Sequence, residues 1–241
     1  MSTNSNFLVK GNFWVDSNAF YTFFEGMQKG NAGLFPHKLN VAGYEKWANN
    51  IAKWSGRTEL SLNEFIGVFC IVYNETGGRF ESISEQGSKE YIESANASGK
   101  VGYAYKERGR GYIQVTFASS YRIVLGQLGY DYDALSSEEI DKLFFDNDKV
   151  AFGALNIWFN DARFAKKTFD RLKLGEFAPF GKAISGSSAY GQIFENRCMY
   201  LLKSLSGKKL ENSLLLKNKN KIIDTVVVGT LLGVGFFLLI S

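Results

Sequence analysis

The chain is poor in the residues on which several catalytic and structural schemes depend. It has one histidine, His37, within Phe35-Pro36-His37-Lys38. A Ser-His-Asp or Cys-His relay is therefore excluded unless His37 itself serves, and nothing near it in sequence points that way. Two cysteines, Cys70 and Cys198, cannot build a disulfide framework. Both fall in apolar, helix-like sequence and read as reduced core thiols. The same scarcity leaves a zinc site unsupported, and no cofactor is expected. Two prolines against 25 glycines point to helices joined by glycine-containing turns. The start, Met1-Ser2-Thr3-Asn4-Ser5-Asn6, is polar, with no apolar core after a basic stretch, and predicts no secretory leader.

An excess of one charge is also missing from most of the chain. The net charge is +4, but residues 203–241 hold six lysines against Glu211 and Asp224. Setting those aside leaves 22 bases and 22 acids in the first 202 residues, so no nucleic-acid surface is indicated. With 241 residues, 21 Phe, 12 Tyr and 4 Trp, the chain can fill one fair-sized core and carry something small besides.

Tyr44, Trp47, Ile51 and Trp54 fall at helical spacing, and a turn is expected at Ser55-Gly56. Ser61-Leu62-Asn63-Glu64 and Ser136-Ser137-Glu138-Glu139 are capping boxes that open helices. The second helix should run through Phe145, and Asp146 or Asn147 should start another through Trp158. Further helices are expected near 163–173, 176–184 and 190–205, and helix with turn over 13–35. Residues 79–104 show no helical stripe and read as loop with a short hairpin. Ile222 to Ile240 is a nineteen-residue apolar run with one acid, long enough for a bilayer core of ~30 Å. Gly229 and Gly233 offer a small-xxx-small face for helix pairing. Lys217, Lys219 and Lys221 before it would, by the positive-inside rule, keep the preceding body cytoplasmic.

One stretch organises the rest. Phe65, Ile66, Val68, Phe69, Ile71 and Val72 make a helix that is apolar on all sides, which belongs in a core. It delivers Asn74-Glu75-Thr76-Gly77-Gly78, a carboxylate followed by a glycine stop. Desolvation there raises the carboxyl pKa and equips Glu75 as a general acid. Some thirty residues on comes Arg108-Gly109-Arg110-Gly111-Tyr112-Ile113-Gln114-Val115-Thr116. As a short extended segment it would put Ile113 and Val115 on one face, Gln114 and Thr116 on the other. An amide and a hydroxyl side by side suit a sugar or a water molecule.

Together these two pieces resemble family 19 glycoside hydrolases, whose pattern is His-Glu-(Ser or Thr)-Gly-Gly, then Gly-Arg-Gly-x-Ile-Gln-(Leu or Val)-(Ser or Thr). The resemblance runs from about Asn40 through Ile184-Ser185-Gly186 and Arg197 to Tyr200. It implies a mainly α, lysozyme-like, two-lobed domain over residues 1–205 with a small irregular or β lobe. A basic linker (206–221) and the C-terminal transmembrane helix (222–240) would follow. It implies Glu75 as general acid and a second carboxylate in the irregular lobe, Glu85 first and Glu81 as runner-up. An inverting pair sits ~6.5–9.5 Å apart. Gln114 and Thr116 match sugar-binding and water-orienting positions, and Arg110 a structural clamp. Tyr103 and Tyr105 are candidates to stack on sugar rings or to pack as core aromatics. The chain departs from the pattern at Asn74, where the family has His, and at Ser185, where it has Asn. The acid that often follows is absent until Glu195.

The family includes chitinases and phage endolysins, and both substrates are β-1,4 polymers containing N-acetylglucosamine. The expectation is a membrane-anchored enzyme cleaving peptidoglycan glycan strands, carried by a phage virion membrane or the host cytoplasmic membrane. A lytic transglycosylase, a chitinase and an inactive wall-binding protein are the alternatives.

Overall fold

The computed structural model describes residues 8–10, 24–54, 59–164, 166–185 and 187–207. In chain order these form β1 (Leu8–Lys10), α1 (Val41–Trp54), β2 (Glu59–Ser61), α2 (Leu62–Glu75), β3 (Ile83–Ser84) and α3 (Lys89–Ala97). After a 3-10 turn at Tyr105–Glu107 come β4 (Arg110–Gly111), α4 (Ala118–Gln127), α5 (Ser137–Asp146) and α6 (Asp148–Asn160). The last three are α7 (Lys166–Leu174), α8 (Phe177–Ser185) and α9 (Ser188–Gly207). The architecture is mainly helical. β1 pairs antiparallel with β2, and β3 with β4, the latter through Ile83↔Gly111 and Ser84↔Arg110.

The centre is α2. Every residue from Phe65 through Tyr73 is buried, as an all-apolar helix requires. α7 and α9 pack on it, and α8 lies along α9. A Cβ on Gly67 would come within 2.6 Å of Leu172, so glycine is what lets α7 approach. From the other side α1 contributes Tyr44 and Trp47, whose rings meet Phe69 and Phe80 at 5.1–6.5 Å. Edge-to-face contacts predominate there, the geometry favoured by the ring quadrupoles. Cys70 and Cys198 are free and buried where α2 meets α9, and burial pushes the Cys198 thiol well up.

Local sequence explains the helix boundaries. Ser136 accepts from the Glu139 N–H while Glu139 bonds back to Ser136, the reciprocal cap that starts α5. The Asn147 side chain accepts from Lys149 N to start α6. The loop expected over 79–104 contains α3: Ser88 caps it by accepting from Tyr91 N. Only Ile92 and Ala95 are buried along α3, too narrow a stripe to register as periodicity.

The expected fold class requires correction. It joined the helical body to a membrane span, but among the described residues no helix is long and apolar enough to cross a membrane. The fold is a mainly helical body. The expected linker begins inside α9, which runs to Gly207; its remainder from 208, the apolar run at 222–240 and the Gly229–Gly233 face lie outside the described residues, as does the turn expected at Ser55-Gly56.

Candidate active site

Glu75 owes its position to the way α2 ends. Gly78 N–H donates to Tyr73 O (2.8 Å) and Gly77 N–H to Asn74 O (3.2 Å), with φ of +58° at Gly77 and +76° at Gly78. This is a Schellman stop, and it leaves Glu75 on the last helical residue. Thr76 locks the turn: its hydroxyl donates to Val72 O (2.7 Å) and accepts from Phe80 N–H (3.0 Å). A Cβ at Gly78 would lie 2.5 Å from Lys38 O, so the stop also packs against the segment carrying His37.

The side chain of Glu75 lies in a cleft of about 710 Å³. Burial raises its carboxyl pKa, while hydrogen bonds from Asn74 and Tyr190 oppose the shift in part. The carboxyl-terminal end of a helix also disfavours negative charge. Asn74 Nδ2 donates to Glu75 Oε1 (3.2 Å), and Asn74 Oδ1 accepts from Arg197 Nη1 (2.7 Å). Arg197 therefore fixes the amide with its NH₂ toward the acid. Tyr190 OH donates to the same Oε1 at 3.4 Å. Burial and the neighbouring Glu75 hold the Tyr190 phenol well above its ordinary value, which keeps it a donor.

The opposite wall is the β3–β4 pair and the loop that follows it. Glu85 N–H donates to Gly109 O (2.8 Å), and Gly109 N–H returns to Glu85 Oε2 (3.1 Å). Tyr103 OH donates to Oε1 at 2.6 Å, so both carboxylate oxygens of Glu85 are engaged and the group is oriented. The Gln114 side chain packs directly on Gly109, where a Cβ would fall 2.6 Å from Gln114 Oε1.

The segment after β4 is a tight turn rather than the extended strand expected. Arg110 and Val115 bridge each other around residues 111–114, and Gln114 has φ +51°. Gln114 and Thr116 both line the cleft, but so do Ile113 and Val115, so the alternating faces are corrected. Gln114 Nε2 donates to Ile83 O (3.2 Å) and Gly111 O (3.0 Å), and Thr116 Oγ1 donates to Gln114 O (2.8 Å).

Of the expected site residues, Glu75, Glu85, Gln114, Thr116 and Tyr103 meet at this cleft. Arg110 stands behind it, fully buried, donating to Asp141 (2.6 Å), Tyr121 OH (2.9 Å), Ser137 Oγ (2.9 Å) and Lys106 O (2.9 Å). Such a fan of bonds holds the wall. Tyr105 is outside the cleft lining, with the Arg108 guanidinium 3.8 Å from its ring centre. Glu81 is outside too, accepting from Asn40 Nδ2 (3.1 Å). Glu195, also outside, accepts from Gln192 (2.9 Å).

Ser185, Trp158, Phe117, His37, Arg79 and Gln86 are among the other residues that line it. His37 gains a place there that its sequence neighbours did not indicate. Tyr190 has no local signal at all, because α9 brings it to Glu75 across 115 residues of chain. Among the described residues no three His, Cys, Asp or Glu side chains gather as a metal-ligand set. Against protein families, curated proteins and solved structures, the chain finds no match.

Proposed function

We propose that this chain is a glycosidase cleaving β-1,4 bonds of peptidoglycan glycan strands. The observation that carries the reading is the desolvated Glu75 facing a cleft whose other wall presents Glu85, Gln114 and Thr116. Glu75, whose carboxyl pKa burial raises, gives its proton to the glycosidic oxygen as the C1–O bond breaks. Water adds to C1 of the resulting oxocarbenium-like sugar, and its proton passes to Glu85. Gln114 and Thr116 hold the sugar and the water. The motif likeness to family 19 glycoside hydrolases supports the reaction class, and peptidoglycan is preferred from the small lytic members of that group.

A lytic transglycosylase can work with one carboxyl group. The oriented Glu85 favours hydrolysis, so the products should carry reducing ends rather than anhydro ends. The full chain should clear a suspension of peptidoglycan, and Glu75→Gln should lower the rate by at least about a hundredfold while keeping the helical circular-dichroism spectrum. Equal clearing by both forms would falsify the role of Glu75. Chitin offered in parallel separates the two polymers.

A further inference from the structure

Phe117 breaks three rules of local structure at one position. Its φ is +72° with ψ 140°, a backbone region that bulky side chains avoid. It stands at the N-cap of α4, where Ser, Thr, Asp or Asn would bond a free amide, and it makes no such bond. The residue is 48% exposed. A glycine would remove the first conflict and a serine the second, yet the position holds a large apolar ring. Conflicts of this kind concentrate where a residue serves a site rather than the fold.

The surroundings say what the ring serves. Phe117 follows Thr116 directly and lines the same cleft. Its backbone is pinned on both sides, N–H to Glu107 O (3.1 Å) and C=O from Tyr121 N–H (3.1 Å), so the strained conformation is imposed by its neighbours. The ring meets Tyr103 edge to face at 5.7 Å and 85°, and Tyr103 in turn holds Glu85. A half-exposed aromatic beside an oriented carboxylate, within a cleft lined by amide and hydroxyl groups, matches a pyranose. Such a ring has an apolar C–H face and a polar rim.

We propose that Phe117, backed by Tyr103, is a stacking platform for one N-acetylhexosamine ring of a β-1,4 glycan, on the Glu85 side of the bond that is cut. This rests on the glycosidase reading above and deepens it by assigning a subsite. The backbone strain at Phe117 is the cost of presenting the ring to the cleft.

The test uses the full chain carrying Glu75→Gln, so that ligand stays intact. Binding of the β-1,4 N-acetylglucosamine hexamer and of peptide-stripped peptidoglycan strands is measured by titration calorimetry, beside the melting temperature. Adding Phe117→Gly should weaken binding of one or both glycans by about tenfold or more. It should leave the melting temperature unchanged or higher, because glycine adopts this backbone without strain. Unchanged affinity, with or without a lower melting temperature, makes Phe117 a packing residue or a contact for something else and overturns the platform. If the glycine variant does not fold, Phe117→Trp decides: its added emission should shift with the hexamer or the strands, and no shift with either overturns the proposal. A Glu75→Gln parent that binds neither glycan refutes the glycosidase reading itself and the subsite with it. A parent that binds while Phe117→Gly binds equally well removes the platform alone.

Discussion

Glu75 and Glu85 face one cleft from walls of different construction. Glu75 ends a helix buried along its length, and what surrounds it is mainly desolvation, with two side-chain donors on one oxygen. Glu85 sits beside a two-residue strand pair, with a phenol on one oxygen and a backbone N–H on the other. The first wall is held by apolar packing, the second by a buried charge network around Arg110. Two chemically identical groups thereby acquire different environments, and the proposed reaction gives them different work, proton donor and oriented acceptor.

The comparison breaks most severely at the charge network. Arg110→Ala leaves Asp141 and several carbonyls short of a donor and should destabilise the protein by about 3 kcal/mol, read by urea unfolding. A loss under 1 kcal/mol would mean that Arg108, which also pairs with Asp141, carries the wall alone. Next in size is Glu85→Gln, expected to cut peptidoglycan hydrolysis about a hundredfold, while Glu81→Gln stays within about twofold of wild type. The reverse order would transfer the second role to Glu81. Smaller still is Tyr190→Phe. It removes a bond that lowers the Glu75 pKa, so the alkaline limb of the activity profile should move to higher pH, with a rate change of about threefold. An unmoved limb would detach Tyr190 from the acid.

The smallest effect is on stability. Burial raises the folded-state pKa of Glu75 above its unfolded value. As pH rises the unfolded chain ionises first, so stability is lost from the unfolded pKa up through the folded one. Glu75→Gln should therefore match wild type at acid pH and be the more stable of the two at neutral pH. Chemical denaturation at both conditions measures the sign.

How much of this was legible depends on how local the cause is. The helix ending in Glu75 could be read because an unbroken apolar run and a double glycine lie within one segment. The sequence ranks Glu85 ahead of Glu81, but that Glu85 lines the cleft and Glu81 does not depends on the β3–β4 pairing, which joins residues far apart in sequence through only two pairs. Tyr105 was a reasonable sugar-stacking candidate from its neighbours, but Arg108 three residues on takes its ring. The turn at 111–114 escaped because Gln114 adopts a positive φ that its side chain does not advertise. Asn74 stood out only as a departure from a motif. Its partner Arg197 lies 123 residues away, and only the packing of α9 on α2 brings the guanidinium to the amide.

Because the proposed proton donor ends a helix buried from Phe65 through Tyr73, its backbone should open late, with the core. The facing wall hangs from two short strands and a turn. Partial melting would thus disarm the acceptor side first, leaving a chain that still holds its acid in place and has nothing to aim it at.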